Sequence, residues 1–418
     1  MKIGEFSKKN DISVDSIRHY MDMGLIIAEK VGGKYYFEDT CHQDLKDILY
    51  FKKLGFTLHE IQTIFRYKRL GILSPFQQFE YYTTLFDNKY KEIENKIKKY
   101  EETKQYLQTE IELNQSRREK RSKLGIPLSA LSLMVCHQCR SNLNVKNAEI
   151  ENNQLLNGSL KCVCGNQYFI EEGILCTEDQ YEKLKIRKEN DQICITKDII
   201  SDYIHTVDGN LIDQMYKCLD WMYKKIDPNE MVNKNILELG TGIGLLLRHV
   251  YEIIPEDSFY IAVDHQYECL QYVKNTLETS DQTKNILFIC SDFLNTPIKN
   301  KSIDYLFDLG GTTNYNFEHD TFLLKETDHY LKENCNIFGT YMLFKNFIEN
   351  SIVHQLKQRH LFTFSEMEKQ MKILQYETID DIIFDDEIKP EDKYESYFVE
   401  GEKVFSYCYA GKKAPSNR

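Results

Sequence analysis

The chain has 418 residues, 42% of them apolar, and a formal net charge of −12. That length exceeds one hydrophobic core, so two or three domains are expected. The acidic balance excludes a general nucleic-acid coat protein, yet leaves room for a local basic surface on one small domain. No stretch approaches the roughly 18 uninterrupted apolar residues of a membrane span, and the opening MKIGEFSKKN lacks the apolar core of a signal peptide. A cytoplasmic protein with no membrane partner is therefore expected.

The stretch KIGEFSKKNDISVDSIRHYMDMGLI carries two short helical patterns around a polar turn, with Ser13 placed to cap the second. VGGKYYFED follows as a β-wing, its glycines supplying the turn and its tyrosines the strand. Two more helical stretches flank Gly55-Phe56-Thr57. A small helical domain that binds a protein partner would also fit this pattern. The residues Ser13, Ile17, Arg18, Tyr20, Gly24 and Leu25, with Leu54-Gly55-Phe56-Thr57-Leu58 and Glu60-Ile61, resemble the DNA-binding domain of MerR-family transcriptional regulators. That resemblance covers residues 1–72. It implies promoter DNA as partner, held by Ser16, Arg18 and His19 on the second helix and by Lys34, Tyr35 and Tyr36 on the wing. It further implies RNA polymerase at the promoter. His19-Tyr20-Met21 departs from the family's usual Tyr-Tyr-Glu, and Lys34 from the usual wing arginine. Lysine meets a phosphate as a point charge without the bidentate fork.

From about Phe76 to about Ser122 there is neither proline nor glycine, which predicts one long helix over 75–122. Phe79, Phe86, Ile93, Tyr100 and Leu107 recur every seven residues, with Tyr90, Ile97 and Ile111 four further along. That is a coiled-coil seam and predicts a homodimer; the alternative is an amphipathic helix lying on its own domain. The MerR resemblance likewise implies an antiparallel coiled-coil dimer.

The twelve cysteines are scattered except for one group. After the basic run Arg117 to Arg121 and the break Gly125-Ile126-Pro127, two β-like segments carry Cys136, Cys139, Cys162 and Cys164. A knuckle on each side of a hairpin lets four thiolates converge on one structural Zn2+; four buried thiols are the alternative. Gly165 relieves the shorter second knuckle, and His137 and Cys176 are spare ligands. The segment, 130–180, resembles small zinc ribbons placed ahead of bacterial methyltransferase domains, its tail being Tyr168-Phe169-Ile170-Glu171-Glu172-Gly173-Ile174.

From about Thr196 helical and strand patterns alternate, which predicts an α/β sheet. Asn235 to Leu239 runs into Gly240-Thr241-Gly242-Ile243-Gly244, where backbone can approach a ligand beside a helix amino terminus. FYIAVDH places Asp264 at a strand end about twenty residues on, where a carboxylate reaches a ribose. Further strands end at Asp292-Phe293 and at Asp308. A glycine turn alone would also suit a dehydrogenase. The full order, Glu238, Gly240, Gly242, Gly244, Asp264, Asp292, Phe293 and Asp308, resembles class I S-adenosylmethionine-dependent methyltransferases over 196–412. By that resemblance the glycine loop lies beside the methionine moiety, Asp264 holds the ribose, and Asp292 with Phe293 borders the adenine. GGTTNYNFEHD would border the acceptor, with Tyr315 and His319 as proton-handling candidates. Glu395 to Val399 and Lys403 to Tyr409 are expected to form a closing hairpin.

The expected architecture is multidomain: an all-α winged helix-turn-helix, a long coiled-coil helix, a small β zinc ribbon and an α/β Rossmann-like methyltransferase fold. The expected function is a regulator whose effector domain methylates or senses a small molecule, with S-adenosylmethionine and zinc as cofactors. A catalytically inactive sensor, or a zinc-ribbon methyltransferase acting on ribosomal RNA, remains open, as does activation against repression.

Overall fold

A computed structural model of the protein describes residues 1–71, 74–116, 122–189, 197–390 and 396–415. The chain divides into two units, Met1–Ser116 and Arg117–Arg418.

In the first unit, α1 (Ile3–Asn10) and α2 (Val14–Asp22) are joined through Asp11, whose φ of 50° turns the chain. Ser13 caps α2 by accepting the Ser16 N–H at 3.1 Å. β1 (Glu29–Val31) and β2 (Lys34–Tyr36) form an antiparallel wing. Gly32 and Gly33 both take positive φ in its two-residue turn, which a side chain would resist. After α3 (Asp39–Lys53), Thr57 and Glu60 close a capping box on α4 (Leu58–Gly71). Phe6, Ile17, Leu25, Ile48, Phe51 and Ile61 are among the core side chains these helices bury.

The helix α5 (Pro75–Ser116) has 42 residues, about 63 Å of rise. Its first turns dock on the same core through Tyr82, Leu85 and Phe86. The Lys89 ammonium is buried between the Glu60 and Glu92 carboxylates, 2.7 Å from each, and sits over the Phe56 ring. Phe86 therefore leaves the seven-residue stripe and packs against Phe51 and Phe56. Tyr100 and Leu107, further along, remain 72% and 60% exposed. The basic run 117–121 lies outside the described residues.

The second unit is built on one mixed sheet. β3 (Ile126–Pro127), β4 (Asn144–Glu151), β5 (Gln154–Lys161), β6 (Gln167–Glu171) and β7 (Ile174–Thr177) come first. After α6 (Glu178–Glu189), α7 (Lys197–Thr206) and α8 (Gly209–Lys225), strand and helix alternate. They are β8 (Asn235–Leu239), α9 (Leu245–Val250), β9 (Phe259–Asp264), α10 (Tyr267–Leu277), β10 (Asn285–Cys290), β11 (Ile303–Leu309), α11 (Gly311–Glu318), α12 (Leu323–Thr327) and β12 (Leu331–Phe344). α13 (Ile352–Gln355), α14 (Phe364–Ile373), β13 (Tyr376–Phe384) and β14 (Val404–Lys413) complete it.

The strand order is β13-β14-β12-β11-β8-β9-β10-β7-β6-β5-β3, with β4 paired to β5. β7 through β12 in this order run parallel, and the strands outside them are antiparallel. Nearly continuous apolar runs such as NILEL and NILFIC suit strands buried on both faces. Alternate residues feed separate cores: Leu237, Ile261 and Leu287 on one face, Ile236, Tyr260 and Phe288 on the other. The order reverses between β8 and β11, so a crevice opens at their carboxyl ends.

Two features differ from expectation. The cysteine-bearing hairpins extend the sheet, because β7 pairs in parallel with β10 and Leu160, Tyr168 and Ile170 join the same core. The closing hairpin pairs β14 with β13, not with 396–399, which holds no strand. β13 is an edge strand exposed along most of its length, so its acidic YETIDDIIF lacks the alternation that signals a half-buried strand.

Candidate cofactor site, metal centre and DNA-facing surface

The crevice at the strand-order reversal is lined by backbone. Gly240, Gly242 and Gly244 take φ of 71°, 53° and 74°, in the left-handed region. A Cβ on Gly240 would lie 3.2 Å from the Cα of Gly311, after β11, and 3.7 Å from the Phe293 ring. A Cβ on Gly311 would lie 2.4 Å from the Leu239 carbonyl oxygen. The two loops thus meet with no room for side chains.

Asp264, at the end of β9, clasps this loop. One carboxylate oxygen accepts the Gly242 N–H at 2.7 Å and the other the Gln266 N–H at 2.8 Å. Burial pushes its pKa up, and these N–H groups partly offset that. Glu238 is 1% exposed. Burial raises its carboxyl to about 8, with Thr241 and Tyr260 beside it opposing the shift and Asp264 adding to it. Among the described residues Glu238 Oε2, Thr241 Oγ1 and the Tyr260 hydroxyl make no well-formed hydrogen bond, although Thr241 and Tyr260 lie close enough to the Glu238 carboxyl to favour its charged form. Three buried polar atoms that meet only one another are a costly arrangement.

Asp292 caps the short turn Phe293–Asn295 by accepting the Leu294 N–H at 2.8 Å, and leaves Phe293 half-buried against Gly240. Asp308 is fully buried; one oxygen accepts the Thr312 N–H at 2.9 Å and the other its hydroxyl. Burial lifts its pKa to about 6. Its position fixes the start of α11 beneath the glycine loop. Tyr315 and His319 stack at 3.9 Å between ring centroids, and His319 Nδ1 donates to the Tyr315 carbonyl at 3.1 Å. The Tyr315 hydroxyl lies 3.3 Å from that of Thr321, and burial raises its pKa.

The Sγ atoms of Cys136, Cys139, Cys162 and Cys164 all lie within 4.8 Å of one another. Cys136 and Cys164 are 3.6 Å apart, Cys139 and Cys162 3.2 Å. Tetrahedral zinc at about 2.3 Å from each sulfur sets such separations near ~3.8 Å, so the residues fit the ion. Gly165, with φ of 104°, closes the short knuckle by donating its N–H to the Cys162 carbonyl at 3.1 Å. Asn166 Nδ2 donates to Cys136 Sγ at 3.3 Å. Burial opposes ionisation of Cys136, but the N–H groups of Cys139 and Gln138 bring its thiol down to about 5. The spare ligands sit elsewhere: His137 Nδ1 faces the Tyr168 hydroxyl at 2.7 Å, and Cys176 pairs across β7 with Cys290.

On the first unit, α2 buries Ile17 and Tyr20 and turns Arg18 and His19 outward. Arg18 is exposed, its only ion pair among the described residues a 3.4 Å contact with Asp15. Ser16 is half-buried, 2.8 Å from the Ser13 hydroxyl. Lys34 and Tyr35 are exposed on the wing and Tyr36 is half-buried.

Sequence reasoning gave no role to Tyr260, Gln266 and Asn166, and named Thr241 and Gly311 only as part of their loops.

A family model described as MerR HTH family regulatory protein matches residues 1–68, and one described as Methyltransferase domain matches residues 236–334. No curated protein compared with the chain matches it. Among solved structures, MccD protein is similar at 10% identity, covering 47% of this chain and 96% of its own, with a TM-score of 0.37. A SAM-dependent methyltransferase from Aquifex aeolicus is similar at 13% identity, covering 51% and 93%, with a TM-score of 0.33. The [4+2]-cyclase SpnF is similar at 9% identity, covering 47% and 80%, with a TM-score of 0.37. Among the described residues no helix is long and apolar enough to cross a membrane. The chain thus joins an N-terminal MerR-type helix-turn-helix domain to a C-terminal methyltransferase domain with a Rossmann-like fold.

Proposed function

We propose that the protein is a dimeric, DNA-binding transcriptional regulator whose second unit binds S-adenosylmethionine and methylates or senses a small molecule. The observation that carries the cofactor assignment is the Asp264 clasp, which fixes Gly242 beside a loop too tight for side chains. S-adenosylmethionine supplies an electrophilic methyl group. Gly240 to Gly244 would face its methionine part, Asp264 its ribose, and Asp292 with Phe293 its adenine. Alignment and exclusion of water are then this chain's contribution to transfer. Tyr315 and His319 stand as the proton-handling pair at the acceptor side. Burial keeps the tyrosine protonated, and His319, its Nδ1 held by the Tyr315 carbonyl, would meet a proton through Nε2.

The four thiolates would hold one zinc that braces the edge of the sheet, with no open position for catalysis. The dimer reading rests on the far half of α5. Tyr100, Leu107 and Ile111 keep the seven- and four-residue spacing and lie exposed to solvent. Arg18 and His19 on α2, with Lys34 and Tyr35 on the wing, form the surface offered to a two-fold promoter site, where RNA polymerase would be the further partner.

Full-length protein is expected to shift a promoter fragment carrying a two-fold symmetric site and to retain about one S-adenosylmethionine per chain in equilibrium dialysis. Absence of a shift would remove the regulator, and absence of retained ligand would remove the cofactor-binding effector.

A further inference from the structure

The helix α10 connects the cofactor clasp to the place where the chain enters the second unit. At its amino end, Gln266 is held by Asp264, and further along Val273 presses on the glycine loop so closely that a Cβ on Gly244 would lie 2.3 Å from it. At its carboxyl end, Lys274 and Glu278 form a buried ion pair at 2.5 Å, 6% and 9% exposed. The same Glu278 oxygen accepts the Leu124 N–H at 2.9 Å, and the Glu278 carbonyl accepts the Ser122 N–H at 3.1 Å. The entering segment is wedged from the other side as well. A Cβ on Gly173 would lie 2.3 Å from the Leu124 carbonyl oxygen, and Leu124 is 2% exposed. Gln271 on α10 donates to Glu172 at 2.9 Å, holding that neighbouring turn.

A buried carboxylate shared between a lysine and a main-chain N–H is an expensive way to anchor a linker, since an apolar contact would serve stability alone. What it adds is a defined position. Over its eleven residues α10 rises about 16 Å as one rigid body. Asp264 holds the amino end of α10 through the Gln266 N–H, and Glu278 at the other end of the same helix holds the entering segment.

We propose that the Lys274–Glu278 clamp on Ser122 and Leu124 couples cofactor occupancy to operator affinity. This rests on the cofactor reading above and adds the route by which the site regulates DNA binding. Coupling requires that cofactor favour one of two arrangements of the clamp, and it is reciprocal between the two ligands.

The test uses the full chain with S-adenosylhomocysteine and operator DNA. The double substitution Lys274→Met with Glu278→Leu removes both charges together, which spares the core an unpaired ion. In the wild type, cofactor should change operator affinity by roughly 5- to 150-fold. In the double variant that ratio should fall toward one, with cofactor affinity in the absence of DNA unchanged. A variant that keeps the wild-type ratio, or a wild type that binds cofactor yet shows a ratio of one, overturns the clamp while leaving the cofactor reading intact. No cofactor binding by the wild type would overturn that reading itself. Should the variant fail to fold, hydrogen exchange on the wild type decides. The Ser122 and Leu124 amides should change protection on adding cofactor, and unchanged protection at both overturns the proposal.

Discussion

The thiol cluster and the glycine clasp are both turn-built sites in one sheet, yet they are assembled differently. The four cysteines come from two short knuckles on neighbouring hairpins, so local spacing brings the sulfurs together. The clasp gathers loops that follow β8, β9, β10 and β11, which only the parallel topology and its reversal bring side by side. The cluster also keeps two exposed thiols, whereas the clasp buries three carboxylates: Glu238, Asp264 and Asp308. A site made by local spacing depends on its ligand for rigidity; a site made by topology is already rigid and carries its cost in buried carboxyl groups whose pKa values burial raises.

The largest effect expected from that difference falls on the cluster. Cys136→Ala should drop bound zinc from one equivalent to near none, removing on the order of 10 kcal/mol of ligand-linked stability from the ribbon. Because β7 pairs with β10, the loss should lower the unfolding temperature of the whole second unit. The first unit should melt as before. Full zinc content in the variant, by elemental analysis, would break the assignment.

A smaller effect should appear in the clasp as pH dependence. The fold raises Glu238 from 4.5 to about 8, so the folded state holds a proton that the unfolded chain releases earlier. Its contribution to stability is therefore fully present below about pH 4.5 and is lost as pH rises through about 8. Glu238→Gln should remove that part of the slope, making the variant more stable than wild type at pH 8.5 by on the order of a few kcal/mol. Thermal unfolding at pH 5 and pH 8.5 checks it; parallel slopes in the two proteins would contradict a buried, protonated Glu238.

Against both sites stands the exposed face of α2, where a single side chain is neither ligand-braced nor buried. Arg18→Ala should leave unfolding unchanged and cost about 1–3 kcal/mol of operator affinity. A gel shift unaltered by the substitution would remove Arg18 from the interface.

The contrast also explains what could be read in the sequence. The cysteine spacing, the wing glycines and the Glu238 to Gly244 motif are local patterns, and the fold places each in the turn its residues require. Phe86 kept the seven-residue spacing, but tertiary packing on Phe51 and Phe56 outweighed it. The short run Ile174 to Thr177 is buried at every position, as a doubly covered parallel strand is; its length alone could not say that it would join β10. Tyr260 gave no signal, since the placing of its hydroxyl beside Glu238 is a property of the folded neighbourhood.

Calorimetric titration of S-adenosylmethionine into full-length protein and into its Asp264→Ala variant tests the central claim most directly. The wild type should bind about one equivalent, and the variant should bind roughly tenfold to a hundredfold more weakly, the loss of a paired hydrogen bond to a charged group being about 1.5 to 3 kcal/mol. No heat of binding from the wild type with S-adenosylmethionine or its demethylated product, or equal affinity in the two proteins, would contradict a cofactor site closed by Asp264.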